Sequence, residues 1–351
     1  MRHLVIGEGQ IGQGVIAAAL GRGDSITVLR RSAVTHEEDR ARYGAMAERI
    51  TRVAGGVGDA AALREALAGG APGTGGADGA EPVGVVHACF HSSAYDARWW
   101  EEELPEMERA TLDAAAAAGV PVAFPESMYG FVGGAADLRE GAEFSPRDAK
   151  GEMRVRLIEA RRAHAARTVS VVASDLIGPS CLSTGSAVAC TTVIEPLAAG
   201  RRAFVPGSPR REHSLTTIGD MAAAMLLAAE HAEDLANRPE TGGTDAVVHA
   251  PTDASRQLAE LVAFAAERLG SRRRTPFALP RFALRAAGLA DRTMREIDGI
   301  GDLWYGDCRL RPGVLTTHYG LAPTPWDTAV AETVDAAAAD RAAARSPRAA
   351  A

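Results

Sequence analysis

Short apolar runs alternate with longer Ala- and Leu-rich segments along the first half of the chain. Apolar, β-branched runs predict buried strands, and the longer segments predict helices. The predicted strands are His3–Ile6, Ser25–Leu29, Arg49–Val53, Val83–Cys89, Val120–Phe124 and Thr168–Ala173. The predicted helices are Ile11–Leu20, Ala60–Leu67, Trp99–Ala118 and Lys150–Ala166. This repeated β-α-β order predicts an α/β fold with a doubly wound parallel sheet and helices on both faces.

The alternation loosens after residue 178, where prolines divide the chain into shorter segments. We therefore expect a first domain over residues 1–178 and a smaller C-terminal region over 179–335 that returns in part to the sheet. The last stretch, 336–351, is expected to be a frayed helical tail. The segment Gly69–Glu81 is rich in Gly, Ala, Pro and Asp and predicts a mobile surface loop.

Charge and composition exclude several classes of function. A formal net charge of -7 disfavours nucleic acid and anionic membranes as partners. No apolar run approaches the roughly 20 residues needed to span a bilayer, and the first residues enter a strand rather than a signal peptide. The cysteines show neither metal-ligand spacing nor a disulfide framework. We therefore expect a cytoplasmic protein with no metal, and the heavy use of Ala, Gly and Arg suggests a bacterial source.

The strongest chemical signal is the sequence Gly7-Glu8-Gly9-Gln10-Ile11-Gly12, which follows the first predicted strand and opens the first helix. In this context Gly7 permits a tight turn, Gly9 lets the backbone approach a pyrophosphate, and Gly12 allows close packing of helix on sheet. The helix N-terminus at Gln10 and Ile11 then offers amide donors to phosphates. The pattern predicts a Rossmann-type dinucleotide-binding domain over residues 1–178, with a mainly substrate-binding region after it.

The residues that end the second predicted strand indicate which dinucleotide binds. Strands in this position of NAD-binding domains usually end in Asp or Glu, which bonds the ribose 2′-hydroxyl. Here the strand is followed by Arg30, Arg31 and Ser32, which suit the 2′-phosphate of NADP(H). The alternative is that these residues are a solvated strand end. Asp59, after the third predicted strand, is expected to face the adenine.

Five segments together point to a known family: Gly7–Gly12, Val85–Ala88, Met128-Tyr129-Gly130, Ser174–Pro179 and Ser214–Met221. They resemble the extended short-chain dehydrogenase/reductase superfamily, in its NAD-dependent epimerase/dehydratase branch. The resemblance implies that Ala88, at the fourth strand end, and Ser174, after the sixth strand, lie near the cofactor.

The chain departs from this family at the positions that usually perform its chemistry. The family's mechanism usually rests on a serine or threonine and a Tyr-x-x-x-Lys on one helix, and the chain contains no Tyr-x-x-x-Lys. Counting from Pro146 places Lys150 at the tyrosine position and Arg154 at the lysine position. The usual serine position falls on Pro125. The chain is therefore identified as an atypical member.

Four residues are candidates for the altered chemistry. Residues four apart share a helix face, so Arg154 could hold the ribose hydroxyls while Lys150 donates a proton. The alternative is that both are exposed helix charges. Tyr129 follows the fifth predicted strand and is either a replacement acid or an aromatic ring packed over the cofactor. Ser127 is a candidate orienting hydroxyl.

Three functions remain open from the sequence. The first is an NADP(H)-dependent oxidoreductase that reduces a carbonyl or related unsaturated group of a small molecule. The second is a nucleotide-sugar epimerase or dehydratase with retained cofactor, which the resemblance implies. The third is a non-catalytic NADP(H)-binding sensor, because the usual catalytic residues are missing. A homodimer is a candidate assembly.

Overall fold

The computed structural model describes residues 1–69, 81–182, 184–185, 187–272 and 274–345. Most of the predicted loop Gly69–Glu81 lies outside these residues, as does the end of the predicted tail. The described chain forms two compact units. The first contains Met1–Ser127, Met153–Val172 and Met221–Ala250, and the second contains Met128–Glu152, Ala173–Asp220 and the described residues after Ala250. The chain therefore passes several times from one unit to the other, and segments of the second unit occur both before and after residue 178.

Thirteen strands are assigned within the described residues: β1 (Arg2–Ile6), β2 (Ser25–Arg30), β3 (Ile50–Ala54), β4 (Val83–Ala88), β5 (Val122–Ser127), β6 (Thr168–Ala173), β7 (Asp175–Ile177), β8 (Phe204–Pro206), β9 (Glu212–His213), β10 (Leu215–Thr217), β11 (Asp245–His249), β12 (Arg256–Gln257) and β13 (Phe277–Leu279).

Fourteen α-helices are assigned in the same part of the chain: α1 (Gln10–Gly21), α2 (His36–Tyr43), α3 (Ala60–Leu67), α4 (Ala97–Ala118), α5 (Ala149–Ala163), α6 (Glu195–Ala198), α7 (Ile218–Glu230), α8 (Ala232–Ala236), α9 (Leu258–Arg268), α10 (Arg281–Gly288), α11 (Arg292–Gly299), α12 (Gly301–Tyr305), α13 (Val314–Thr317) and α14 (Trp326–Arg345). Short 3-10 helices span Gly44–Arg49, Met128–Asp137 and Pro179–Cys181, and a π-helical turn spans Cys190–Ile194.

The first unit is built on a seven-stranded sheet in the order β11-β6-β5-β4-β1-β2-β3. Strand β1 pairs in parallel with β2 on one side and with β4 on the other, so Ile6 lies beside both Leu29 and Ala88. The strand order reverses at this point. In open α/β sheets, ligands bind beyond the carboxyl ends of the strands at such a switch point. The structure thus confirms the predicted Rossmann-type α/β fold.

Apolar spacing explains how helix α1 packs on the sheet. Its buried residues recur at intervals of three and four and therefore form one face: Gly12, Val15, Ile16, Ala19 and Leu20. The strands beneath are almost wholly buried, with Leu4 and Ile6 at 1% exposure or less. This core fixes the position of the loop that leaves β1.

Two predicted elements end three residues away from their predicted ends, each for a local reason. The fifth strand runs over Val122–Ser127 rather than Val120–Phe124, because Gly119 takes a left-handed conformation and Val120 donates to the Ala115 carbonyl at the end of α4. Helix α5 ends at Ala163 rather than Ala166, where the His164 ring accepts the Ala166 amide at 3.0 Å.

The second unit contains three two-stranded pairings: β7 with β10, β9 with β12, and β8 with β13. Residues 336–345, predicted as a frayed tail, form the second half of α14. Among the described residues, no helix is long and apolar enough to cross a membrane.

Candidate functional site

The loop Gly7–Gly12, here called the glycine loop, touches the segment that follows β4. Gly7 has a φ of +91°, and a Cβ there would lie 2.9 Å from the Cys89 carbonyl oxygen and from the backbone of Phe90. Only glycine adopts this conformation without strain and also leaves room for the neighbouring strand. The loops after β1 and β4 therefore share one edge of the sheet, at the predicted position.

The other two glycines differ in what surrounds them. A Cβ at Gly12 would lie 2.2 Å from the Gly7 carbonyl oxygen, whereas a Cβ at Gly9 would meet nothing within 4 Å. Gly9 also caps α1 without a side-chain hydrogen bond, so no capping side chain occupies the first helical amides. The buried Gln10 Oε1 has no hydrogen-bond partner among the described residues. This cradle fits a pyrophosphate group.

Glu8, between the first two glycines, is the centre of a buried ion cluster. Its carboxylate accepts hydrogen bonds from Arg52 at 2.8 and 3.0 Å, from Arg30 at 2.8 Å and from Tyr43 at 3.1 Å. Arg42 lies 3.3 Å away. Burial alone would raise the pKa of Glu8, but the hydrogen bonds from Arg52 and Arg30 lower it below its ordinary value. The cluster ties the glycine loop to the ends of β2 and β3.

The residues predicted to select the cofactor therefore have different surroundings. Arg30 is ion-paired with Glu8, while Arg31 and Ser32 are exposed beyond the end of β2. Arg30 and Arg42 line a surface cleft together with Ala33, Val34, Glu38 and Ala41. Asp59 caps α3 by accepting the amides of Ala61 and Ala62 at 2.9 and 3.1 Å. Its predicted approach to adenine stays a prediction.

Arg154 is held at the sheet edge by three neighbours in the first unit. Its Nε lies 3.4 Å from Glu126 Oε1, its Nη2 lies 3.1 Å from His91 Nε2, and its guanidinium carbon lies 4.6 Å from the centre of the Trp100 ring. Only 10% of its side chain is exposed. The predicted ribose ligand is thus a positioned cation rather than a solvated helix charge.

The contact with Arg154 fixes the tautomer of His91. A guanidinium has no acceptor, so His91 Nε2 must accept and its proton resides on Nδ1. Ser92 Oγ lies 3.3 Å from Nδ1 and donates its own proton to the Ala94 carbonyl at 2.7 Å. Packing of the surrounding protein, together with the charge of Arg154, lowers the pKa of His91 below its ordinary value. His91 is therefore a neutral neighbour of Arg154.

Ala88 and Ser127 end their strands in the same unit. Ala88 is 2% exposed and lies beside Ile6 in the sheet. Ser127 is half-buried, and its amide donates to Glu126 Oε1 at 2.9 Å. Their backbones thus belong to the edge that carries the glycine loop.

In the second unit, Lys150 is buried in an ion pair with Glu296. Burial raises the pKa of the nearby Asp148, against the hydrogen bond that its carboxylate accepts from the Gly151 amide. Tyr129 is half-buried, and its carbonyl oxygen would lie 2.4 Å from a Cβ at Gly151. The ammonium of Lys150 is thus not an exposed helix charge, and its predicted proton transfer stays a prediction.

Ser174, also in the second unit, has its hydroxyl engaged within the protein. Its Oγ donates to the Ser214 carbonyl at 2.8 Å, and its amide donates to Thr216 Oγ1 at 3.0 Å. These bonds hold the segment between β6 and β7. No His, Cys, Asp or Glu cluster able to hold a metal occurs in the described part of the chain.

Comparison with known proteins identifies the family. The model of the NAD dependent epimerase/dehydratase family matches residues 3–240. The chain belongs to this family. A search of curated proteins found no match.

Solved structures of similar fold include several enzymes named as epimerases. The UDP-glucose 4-epimerase of Thermotoga maritima, solved with UDP-glucose, has a TM-score of 0.67 and 15% identity, covering 96% of this chain and 98% of that one. The Bacillus cereus UDP-N-acetylglucosamine 4-epimerase has a TM-score of 0.67 at 10% identity, with 95% of each chain covered. The Bordetella bronchiseptica enzyme WbmG, solved with NAD and UDP, has a TM-score of 0.64 at 16% identity, covering 96% and 94%. At these identities the likeness shows the fold.

Sequence reasoning missed four residues of this epimerase/dehydratase family member: Glu8, His91, Trp100 and Glu126. Glu8 stands inside the recognised motif, and a charged residue there was the available signal. Glu126 follows the predicted fifth strand, whose end was placed three residues too early, at Phe124 rather than Ser127. His91 and Trp100 contact Arg154 from 63 and 54 positions away along the chain, so no local pattern reports them.

Proposed function

We propose that the chain is a bacterial, cytoplasmic NADP(H)-dependent oxidoreductase that reduces a carbonyl or related unsaturated group of a small molecule. The observation that carries this proposal is the open glycine loop beside a cleft lined by Arg30 and Arg42. Guanidinium groups bind phosphate oxygens with paired hydrogen bonds, so this cleft suits the 2′-phosphate. Neither nucleic acid nor a membrane is part of the proposal.

Each part of the dinucleotide has residues that would hold it. The uncapped amides at the start of α1 would bind the pyrophosphate. Arg30, Arg31 and Arg42 would bind the 2′-phosphate, although Glu8 already satisfies part of Arg30. Arg154 would donate to the nicotinamide ribose hydroxyls. When bound, the nicotinamide supplies a hydride to the carbonyl carbon of the substrate.

The carbonyl oxygen must receive a proton as the hydride arrives. Lys150 is the proposed donor, because its ammonium carries protons and stands four residues before Arg154, the proposed ribose ligand, on helix α5. Glu296 would fix the ammonium, and a proton taken up from water would restore the charge of Lys150 after each turnover. The phenol of Tyr129 is the rival donor.

The proposal is tested by following NADPH oxidation with a panel of carbonyl substrates. We expect turnover by the wild-type protein, and a loss of about 10² to 10⁴ in Lys150→Met at unchanged NADPH affinity. Glu296→Gln is the matched control, since it keeps the ammonium and removes its partner, and it should lose less. Loss in Tyr129→Phe with full activity in Lys150→Met would transfer the role to Tyr129. Tight binding without any turnover would identify a sensor instead.

A nucleotide-sugar epimerase that retains its cofactor is the second candidate. It is favoured by the family and by the fold shared with the Thermotoga UDP-glucose 4-epimerase. Such an enzyme would be purified with bound dinucleotide and would interconvert UDP-sugars without net NADPH oxidation. Chromatography of the nucleotide released on denaturation separates the two functions.

A further inference from the structure

Glu126 is a fully buried carboxylate that contacts two arginines. One oxygen, Oε1, lies 3.4 Å from Arg154 Nε and accepts the Ser127 amide at 2.9 Å. The other oxygen, Oε2, accepts from Arg161 Nη1 at 3.1 Å. None of the Glu126 side chain is exposed. A carboxylate taken out of water requires such partners, so its position is determined by the two guanidiniums.

Arg161 lies deeper in the first unit and does not depend on Glu126 alone. Glu108 accepts from both Nε and Nη2 of Arg161, the former at 2.7 Å, and Ser170 accepts from Nη1 at 2.8 Å. The guanidinium also lies 4.0 Å from the centre of the Phe124 ring. Paired bonds from one carboxylate are the strongest arrangement available to a guanidinium. Glu108 therefore holds Arg161, and Glu126 extends this anchored group toward the sheet edge.

The other contacts of Arg154 are with uncharged groups. His91 is neutral in the tautomer described above, and Trp100 offers the face of its ring. Within the described residues, Glu126 is the carboxylate that pairs with Arg154. The hydrogen bond from Nη2 to His91 and the Trp100 ring restrict the plane of the guanidinium, and Glu126 supplies the opposite charge 3.4 Å from Nε, without a hydrogen bond to that nitrogen. Glu126 also lies within strand β5, one residue before its end.

We propose that Glu126 is a positioning residue, which holds Arg154 in the orientation that binds the dinucleotide ribose. This inference rests on the proposed function, because it takes Arg154 as a ligand of the cofactor. The usual serine of the family falls on Pro125 in this chain, so the adjacent Glu126 belongs to an altered site. The fixed charge of Arg161 anchors Glu126, and Glu126 in turn orients Arg154.

The test compares two substitutions that each remove one carboxylate charge from the same buried arginine. Glu126→Gln loses the partner of Arg154, whereas Glu108→Gln weakens only the support of Arg161. Calorimetry with NADPH and NADH should show affinity weakened about tenfold or more in Arg154→Ala and in Glu126→Gln. Glu108→Gln should stay within about threefold of wild type. Glu126→Asp, which keeps the charge, should recover part of the loss and replaces Glu126→Gln if that variant fails to fold.

A second readout needs no ligand. Arg154 lies over Trp100, so a displaced guanidinium changes the emission of this indole. Trp100 is one of four tryptophans, and subtracting the spectrum of the same variant carrying Trp100→Phe isolates its signal. Emission should change in Glu126→Gln and Arg154→Ala and stay as in wild type in Glu108→Gln.

The outcomes separate the inference from the proposed function. Equal losses of affinity in Glu126→Gln and Glu108→Gln would mean a general structural role and would overturn the inference. Wild-type affinity in Glu126→Gln with loss in Arg154→Ala would overturn it while sparing the proposed function. Wild-type affinity in Arg154→Ala would remove Arg154 from the cofactor site and overturn both assignments. If neither dinucleotide binds, the proposed function fails, and unchanged Trp100 emission in Glu126→Gln would then overturn the positioning role.

Discussion

Gly9 and Gly12 of the glycine loop lack a side chain for different physical reasons. Gly12 packs against the carbonyl of Gly7, where a Cβ would not fit, so the fold itself requires glycine at this position. Gly9 is exposed, has ordinary extended backbone angles and faces open space. Nothing within the described protein demands glycine there, which leaves the approach of a ligand as the reason.

We therefore expect Gly9→Val to fold normally and to lose dinucleotide affinity by about 100-fold or more, because the side chain occupies the space of the pyrophosphate. Gly12→Ala is the contrasting variant, and its free energy of unfolding should fall by about 1–3 kcal/mol from overpacking. Calorimetry and urea unfolding measure the two effects. If folded Gly9→Val bound the dinucleotide with wild-type affinity, the pyrophosphate would not bind next to Gly9.

At the nucleotide site, residues could be predicted from the sequence only where they lie close together along the chain. The three glycines, Arg30 and Arg31 were predicted because the motif and the second strand lie within about 30 residues of the start of the chain. The four contacts of the Glu8 carboxylate come from residues 30, 42, 43 and 52. Their convergence follows from the pairing of β1, β2 and β3, and a linear pattern does not contain it.

At the scale of elements, strands with continuous apolar runs were predicted well and a strand with polar ends was missed. Strand β6 was predicted with the observed bounds, since all six of its residues are buried. Strand β11 begins with Asp245 and ends with His249, and both are buried. Asp245 is accommodated because Thr168 and Ser170 of the neighbouring strand donate to its carboxylate at 2.7 and 2.8 Å. The sequence pattern of β11 alone predicts a loop, because it does not show the hydroxyl partners that β6 supplies.

Asp245 should make stability depend on pH in a defined direction. Burial raises the pKa of Asp245 from 3.8 to about 6, against the charge of Arg161 and the two hydroxyl hydrogen bonds. The folded state thus holds the proton more tightly, so this contribution is complete below about pH 4 and is lost as the pH rises through about 6.

Urea unfolding across that range should therefore show a difference between wild type and Asp245→Asn that changes by up to about 3 kcal/mol. The wild-type protein should lose stability relative to the variant as the pH rises, because asparagine carries no charge at any pH. Parallel stability curves would mean that the pKa of Asp245 is the same in the folded and unfolded states, and would overturn the predicted shift.

At the scale of the whole molecule, cofactor preference should appear as a difference in thermal stability. A ligand that binds only the folded state stabilises it by about 2.7 kcal/mol at 100 times its Kd. If NADPH binds at least tenfold more tightly than NADH, it should raise the melting temperature further at equal concentration, with a difference of about 1.4 kcal/mol.

Differential scanning calorimetry with matched NADPH and NADH concentrations measures this preference without knowledge of the substrate. The preference should shrink in Arg31→Ala, since the exposed guanidinium of Arg31 has no part in the Glu8 cluster. Equal melting temperatures with the two cofactors would refute the assignment of the cleft to a 2′-phosphate.

The Glu8 cluster has a consequence for attempts to change the cofactor by protein engineering. Designs of this kind usually exchange the residues at the end of β2, yet here Arg30 also neutralises a buried carboxylate of the glycine loop. Replacing Arg30 alone removes one partner of a charge that water cannot reach, which destabilises the loop for either cofactor. A successful redesign must alter Glu8, Arg30 and Arg52 in concert. The same requirement applies in evolution. We therefore expect cofactor preference in related proteins to change through several mutually compensating substitutions rather than through single ones.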